Sequence, residues 1–92
     1  RTLYGAEAKY LVAQQLYKAG EYTAAEKEIL NFIDQSTPHA YWLARSFVLL
    51  SDVYVAMDKK LDARQYLLSL QQNYHADDDI EQMINERLEK LK

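Results

Sequence analysis

Apolar residues recur along this chain at intervals of three and four, interrupted only by short polar stretches. Tyr22, Ala25, Ile29, Phe32 and Ile33 share one face of a helix. Leu43, Phe47, Leu50, Tyr54 and Met57 step by 4, 3, 4 and 3, with Val48, Leu49 and Val55 widening the stripe. A helix apolar over so much of its circumference is contacted on more than one side. Ala63, Leu67, Leu70 and Tyr74 repeat the pattern, as do Ile80, Ile84, Leu88 and Leu91, while Leu11, Val12 and Leu16 mark the first segment. The pattern predicts five helices, over about Leu3–Ala19, Tyr22–Gln35, Pro38–Met57, Lys60–Tyr74 and Asp78–Leu91.

The breaks between segments have their own chemistry. Gly20 takes the left-handed conformation that helix ends favour. Thr37 is an N-cap and Pro38 a first helical residue for the third segment. Asp78 followed by Glu81 fits a capping box, with Asp in the place of Ser or Thr.

Superposed on these periods is a longer one. Ala13 and Ser51 lie 38 residues apart, and so do Ala25 and Ala63. The first two helices and the next two are copies of one hairpin. Such a unit cannot bury its apolar faces alone and must stack on a neighbour. The small residues mark where two helices cross too closely for a larger side chain.

Composition agrees with helices. The chain has 92 residues, two glycines and one proline, which suits helices joined by tight turns and not a sheet. A domain this size buries roughly 60–65% of its unfolded surface, enough for a modest core. With no cysteine, disulfides, thiolate zinc sites and thiol nucleophiles are excluded. No apolar run reaches the roughly 18–20 residues of a membrane span. The chain begins at Arg1, so it reads as the C-terminal part of a longer protein. Leu3, Tyr4 and Leu11 are then expected to have met an upstream repeat, leaving an end through which this segment self-associates.

Charge is concentrated at one end. Residues 1–76 carry 8 basic and 8 acidic side chains, so the net charge of −3 lies in residues 77–92. There is no basic stripe to displace counterions from a phosphate backbone, which argues against nucleic acid. The same balance argues against a basic membrane-surface helix. The wet, charged face of the fifth segment is what a terminal cap requires.

Catalytic patterns are missing. His39 and His75 have no spaced partners, and there is no phosphate loop, serine elbow or paired-histidine helix. His75 beside Asp77-Asp78-Asp79 invites a divalent cation, but a calcium loop alternates its acids and then needs glycine. Acids at a helix start are favoured by capping and by the dipole in any case. Lys59, Lys60 and Arg64 read as a solvated turn. The expectation is a protein that is not an enzyme and needs neither cofactor nor metal.

These hairpins resemble tetratricopeptide (TPR) repeats over roughly residues 6–74, with the last helix similar to a capping helix. The family's small residues are matched by Ala13 and Ser51 in the A helices and by Ala25 and Ala63 in the B helices. Its large apolar position is matched by Ile29 and Leu67, and its turn by Gly20-Glu21-Tyr22, only loosely by Asp58-Lys59-Lys60-Leu61. Departures are Lys9 in place of an aromatic residue, where the second copy has Phe47, and a period longer by about one helical turn at Thr37–Trp42. That spacing is similar to bacterial cell-envelope TPR proteins, including outer-membrane assembly lipoproteins and Tol–Pal-associated coordinators, which implies a periplasmic or envelope location; a cytoplasmic one stays open.

The resemblance implies a single all-α domain, a right-handed superhelix of antiparallel hairpins: repeat 1 over about 3–35, repeat 2 over about 38–74 and a cap over about 78–91. It also implies a non-enzymatic scaffold whose A helices line a concave groove for a peptide or partner subunit. The alternative is a structural module of a larger array that self-associates or packs intramolecularly, with recognition elsewhere. Carried over position by position, the groove residues are Glu7, Tyr10, Gln14 and Tyr17, then Arg45, Val48, Asp52 and Val55, with Trp42 at the rim. Tyrosines there offer contact area at low entropic cost. The family's clamp for a terminal carboxylate uses paired Lys and Asn; Gln14 and Asp52 stand in those places, and Asp52 is expected to repel such a ligand.

Overall fold

A computed structural model of the chain describes residues 3–34 and 39–92, with side chains from Gly5 onward. Five helices form where the periodicity places them: α1 (Leu3–Lys18), α2 (Tyr22–Asp34), α3 (Ala40–Ala56), α4 (Lys60–Asn73) and α5 (Ile80–Lys90). Gln35 and the Thr37–Pro38 start signal lie outside the described residues. α3 opens instead from His39 as its N-cap, without a side-chain capping bond.

The two tight turns are the same turn. Gly20 has φ +81° and Asp58, 38 residues on, has φ 62°. In each, the left-handed residue donates to the carbonyl three back (Tyr17, Val55). The next residue donates to the carbonyl five back (Leu16, Tyr54). This paired closure satisfies carbonyls that a helix end leaves open. A side chain at Gly20 meets nothing within 4 Å, so its backbone conformation alone is the obstacle. Gly20→Val is therefore expected to lower stability by about 1–2 kcal/mol, and Asp58→Gly to raise it by about 0.5–1 kcal/mol, the left-handed strain relieved less the added chain entropy of glycine. Urea unfolding of both variants checks the pair; equal and opposite effects are not required, but opposite signs are.

Helix packing follows chain order. α1 and α2 form one hairpin and α3 and α4 the next; α3 rests on both α1 and α2, and α5 rests on α3 and α4. Thus α1, α3 and α5 run side by side, while among the described residues the backbones of α2 and α4 do not come together. The smallest dimension, 18 Å, is about two helix layers.

The core is built in two parts that share α3 and α4. One gathers Tyr10 and Ala13 with Ala25, Ile29, Leu49, Leu50, Val53, Tyr54 and Ala63. The other joins Ala44 and Val48 to Leu67, Leu70, Ile80 and Ile84. The four small residues of the 38-residue period, Ala13, Ala25, Ser51 and Ala63, are each at most 2% exposed. Ser51 and Ser46 tolerate burial because each hydroxyl donates to a carbonyl of its own helix, Val48 at 2.6 Å and Trp42 at 2.8 Å. Ala25→Leu should overpack the core and cost about 1–3 kcal/mol. An unchanged thermal midpoint would remove Ala25 from the helix crossing.

The start of α5 is fastened by its acids. The N-cap is Asp79, one residue later than the sequence implies, and its side chain accepts from the Tyr41 hydroxyl at 2.8 Å. Asp78 caps the backbone from one position further out, accepting the Ile80 N–H at 3.0 Å, and also takes the Tyr74 hydroxyl. Burial and that bond push the Tyr74 hydroxyl up to about 12.

Candidate functional site

The side-by-side run of α1, α3 and α5 leaves a groove of about 520 Å³ near the C-terminal ends of α1 and α3. Tyr17 enters it from α1, Asp52 and Val55 from α3, Lys60 from α4, and Glu86, Arg87, Lys90 and Leu91 from α5. Three of the nine residues expected to line a groove, Tyr17, Asp52 and Val55, are therefore brought together. Val55 is 38% exposed.

Asp52 is not a bare carboxylate there. Arg87 grips it with two bonds, from Nε at 2.8 Å and from a terminal nitrogen at 3.0 Å. The same guanidinium donates to the Met83 carbonyl within α5. The expected repulsion of an incoming carboxylate is thus corrected: the paired charge presents little net field, and the bidentate geometry ties α5 to α3. Burial and the nearby Asp52 raise the Tyr17 hydroxyl above its ordinary value, so it enters the groove as a neutral donor.

The remaining candidates sit toward the other end of α1 and α3, and two of them are core. Tyr10 is 5% exposed and Val48, its counterpart 38 residues on, is 1% exposed. Neither can present a face to a partner. The physical reason is that the A helices cross closely, so positions facing the neighbouring A helix fill the seam between them. Trp42 is half-buried, its ring 5.4 Å from Tyr10 and 5.1 Å from Tyr41. Arg45 lies within the same aromatic group, 5.0 Å from the Tyr10 ring centre. It donates to the hydroxyls of Tyr41 at 3.1 Å and Tyr10 at 3.2 Å. Burial works to lower the Arg45 pKa, but the two tyrosines outweigh it and the guanidinium stays charged. Gln14 hydrogen-bonds weakly to the Tyr10 hydroxyl at 3.4 Å, and Glu7 is half-exposed.

Several residues of the site carry no mark in the sequence reading. Arg87, Glu86 and Lys90 lie off the Ile80–Ile84–Leu88–Leu91 stripe of the last helix, yet they wall the groove. No sequence pattern marks them: Asp52 and Arg87 pair across 35 residues, which periodicity within single helices does not expose. Outside the groove, Glu26 is likewise unmarked in the sequence: half-buried on α2, it accepts the Tyr54 hydroxyl at 2.7 Å and joins α2 to α3. Burial and this bond hold the Tyr54 hydroxyl well above the ordinary tyrosine value.

A pH dependence follows. Tyr54 and Tyr74 have folded pKa values raised above the ordinary 10.0. Their contribution is therefore complete below pH 10 and is lost as the pH rises through the folded values. The chain should lose stability above about pH 10, and Tyr54→Phe should flatten that loss while weakening the fold at neutral pH by roughly 1.5–3 kcal/mol. Chemical unfolding at pH 7 and pH 11 measures both; an equally steep alkaline loss in Tyr54→Phe would exclude Tyr54 as its source.

His75 is exposed, with a ring nitrogen 3.0 Å from the Gln72 carbonyl. Among the described residues, no three His, Asp or Glu side chains gather so as to hold a metal ion. None of the described helices is long and apolar enough to cross a membrane. No family model matches the chain, and no match is found among curated proteins or solved structures.

Proposed function

We propose that this chain is a TPR-like protein-interaction module, without catalytic activity, that seats a segment of another protein in the groove between α1, α3 and α5. The observation that carries this reading is the groove itself. Its wall combines apolar and aromatic surface (Tyr17, Val55, Leu91) with charges of both signs (Lys60, Lys90, Glu86). Apolar anchors inside a polar rim are the usual make-up of a peptide-binding surface.

Two further features support it. α3 meets α1 on one side and α5 on the other, while the backbones of α2 and α4 do not come together, contacts that fit a curve with the A helices inside. That is the sense of curvature a superhelix of such hairpins needs for an A-helix groove. Also, the groove's one aspartate is held by Arg87, which leaves the free charges at its rim on Lys60, Lys90 and Glu86.

A photo-reactive residue placed at Val55 tests the reading in the source cells, with the same residue at Leu61, 81% exposed and outside the groove, as the control. A discrete protein adduct at position 55 and none at 61 is the expected outcome. Identical adduct patterns at both positions would discard the groove as the recognition surface.

A further inference from the structure

The 38-residue period allows each position of α1 to be compared with its copy on α3, and one strip differs sharply. Leu11 is 43% and Val12 51% exposed, whereas their counterparts Leu49 and Leu50 are 4% and 0% exposed. Ala8 is exposed, while its counterpart Ser46 is 1% exposed. The cause lies in what each helix has beside it. Both A helices have a partner helix and a following helix: α2 and α3 for α1, α4 and α5 for α3. Only α3 also has a preceding hairpin, and α2 is the member of it that lies most extensively along α3. Leu49 and Leu50 share one core cluster with Ala25 and Ile29 of α2.

We infer that the Ala8–Leu11–Val12 strip of α1 is a seat for an amphipathic helix of α2's character, lying on α1 as α2 lies on α3. The repeat itself names the occupant: the same backbone unit, with apolar side chains at the same positions, is covered by such a helix one period later. The strip is shaped for a helix. Ala8 supplies a small residue at the position of the buried Ser46, and Leu11 and Val12 supply the adjacent apolar pair. Gln15, at the position of Val53, marks where the seat turns polar. A second copy of the chain meeting through this strip is a weaker fit. A single helix stripe offers far less than the roughly 1,200–2,000 Å² that a stable dimer buries, and the outer face of α5 at the opposite end is charged and exposed at Glu81 and Glu89. A tethered helix avoids most of the association cost that limits such small contacts.

None of the three residues lines the groove described above, so this inference and the proposed function stand or fall separately. The test is to extend the full chain with a copy of residues 21–38 placed directly before Arg1, which puts Arg1 where His39 stands relative to α2 and so preserves the period. The extended chain should melt about 4–8 °C or more above the original. The gain should vanish with Leu11→Lys and Val12→Lys together, and when the copied segment carries Ile29→Ser and Phe32→Ser. In the unextended chain the Lys pair should shift the midpoint by no more than about 4 °C, since both sites are about half open to solvent. Equal midpoints with and without the extension would overturn the inference, as would a gain that survives the Lys pair. Sedimentation of the unextended chain supplies a second arm: a dimer that the Lys pair converts to monomer would assign the strip to a second copy and overturn it as well.

Discussion

Tyr10→Ala is expected to cost about 3–5 kcal/mol, the range for truncating a buried aromatic side chain. Tyr10 is the hinge of the α1–α3 seam. Its ring packs on Trp42, its face carries the Arg45 guanidinium, and its hydroxyl accepts a bond from Arg45 and a weaker one from Gln14. Truncation removes the ring, opens a cavity and strips Arg45 of one acceptor at once. A domain of this size holds only about 5–15 kcal/mol in total, so the variant should sit close to unfolding at room temperature. Tyr10→Phe separates the contributions: it keeps the ring and loses the hydroxyl, at about 0.5–1.5 kcal/mol. Urea unfolding measures both. A Tyr10→Ala cost below about 1 kcal/mol would mean that Tyr10 is free to serve a partner, as a groove residue would.

Leu50→Ala should cost about 2–5 kcal/mol, and the matching change one period earlier, Val12→Ala, no more than about 0.5 kcal/mol. Leu50 is fully buried at the centre of α3, in the cluster that joins α1, α2 and α4. Its loss leaves a void bounded by helices fixed on several sides, which cannot collapse to fill it. Val12 occupies the same position of the repeat with half its surface in water. The two substitutions thus measure what a neighbouring hairpin contributes to one backbone position. Similar losses at both sites would contradict the burial contrast on which the α1 seat rests.

Local pattern made the helices legible. The 3–4 spacing of Ile29–Phe32 and Leu67–Leu70 locates α2 and α4 to within a residue or so, and the 38-residue period anticipates burial at Ala13, Ala25, Ser51 and Ala63. It also makes sense of the matched turns at Gly20 and Asp58, although Asp58 gives no hint by composition. What the pattern could not assign was direction around α1. Leu11 and Val12 are among its most apolar residues yet lie largely outside, while Ala6, Tyr10 and Ala13 face the core. Hydrophobicity ranks side chains, but the choice of face is made by which neighbours are present. The groove positions suffered likewise. Tyr10 and Val48 belong to the seam between A helices, and Arg87 reaches Asp52 across 35 residues of chain, a pairing that no single-helix periodicity contains.

The order of packing has a kinetic consequence. Among the described residues, every helix packs only on helices one or two places away in the chain, and α3 alone touches all four others. Such local contacts require little loop closure before they are rewarded, which places the chain with helical proteins that fold in microseconds to milliseconds. Either flank can add to α3 once it exists, and neither needs the other first. Assembly can therefore begin from whichever hairpin forms earlier, with α3 as the step common to both routes.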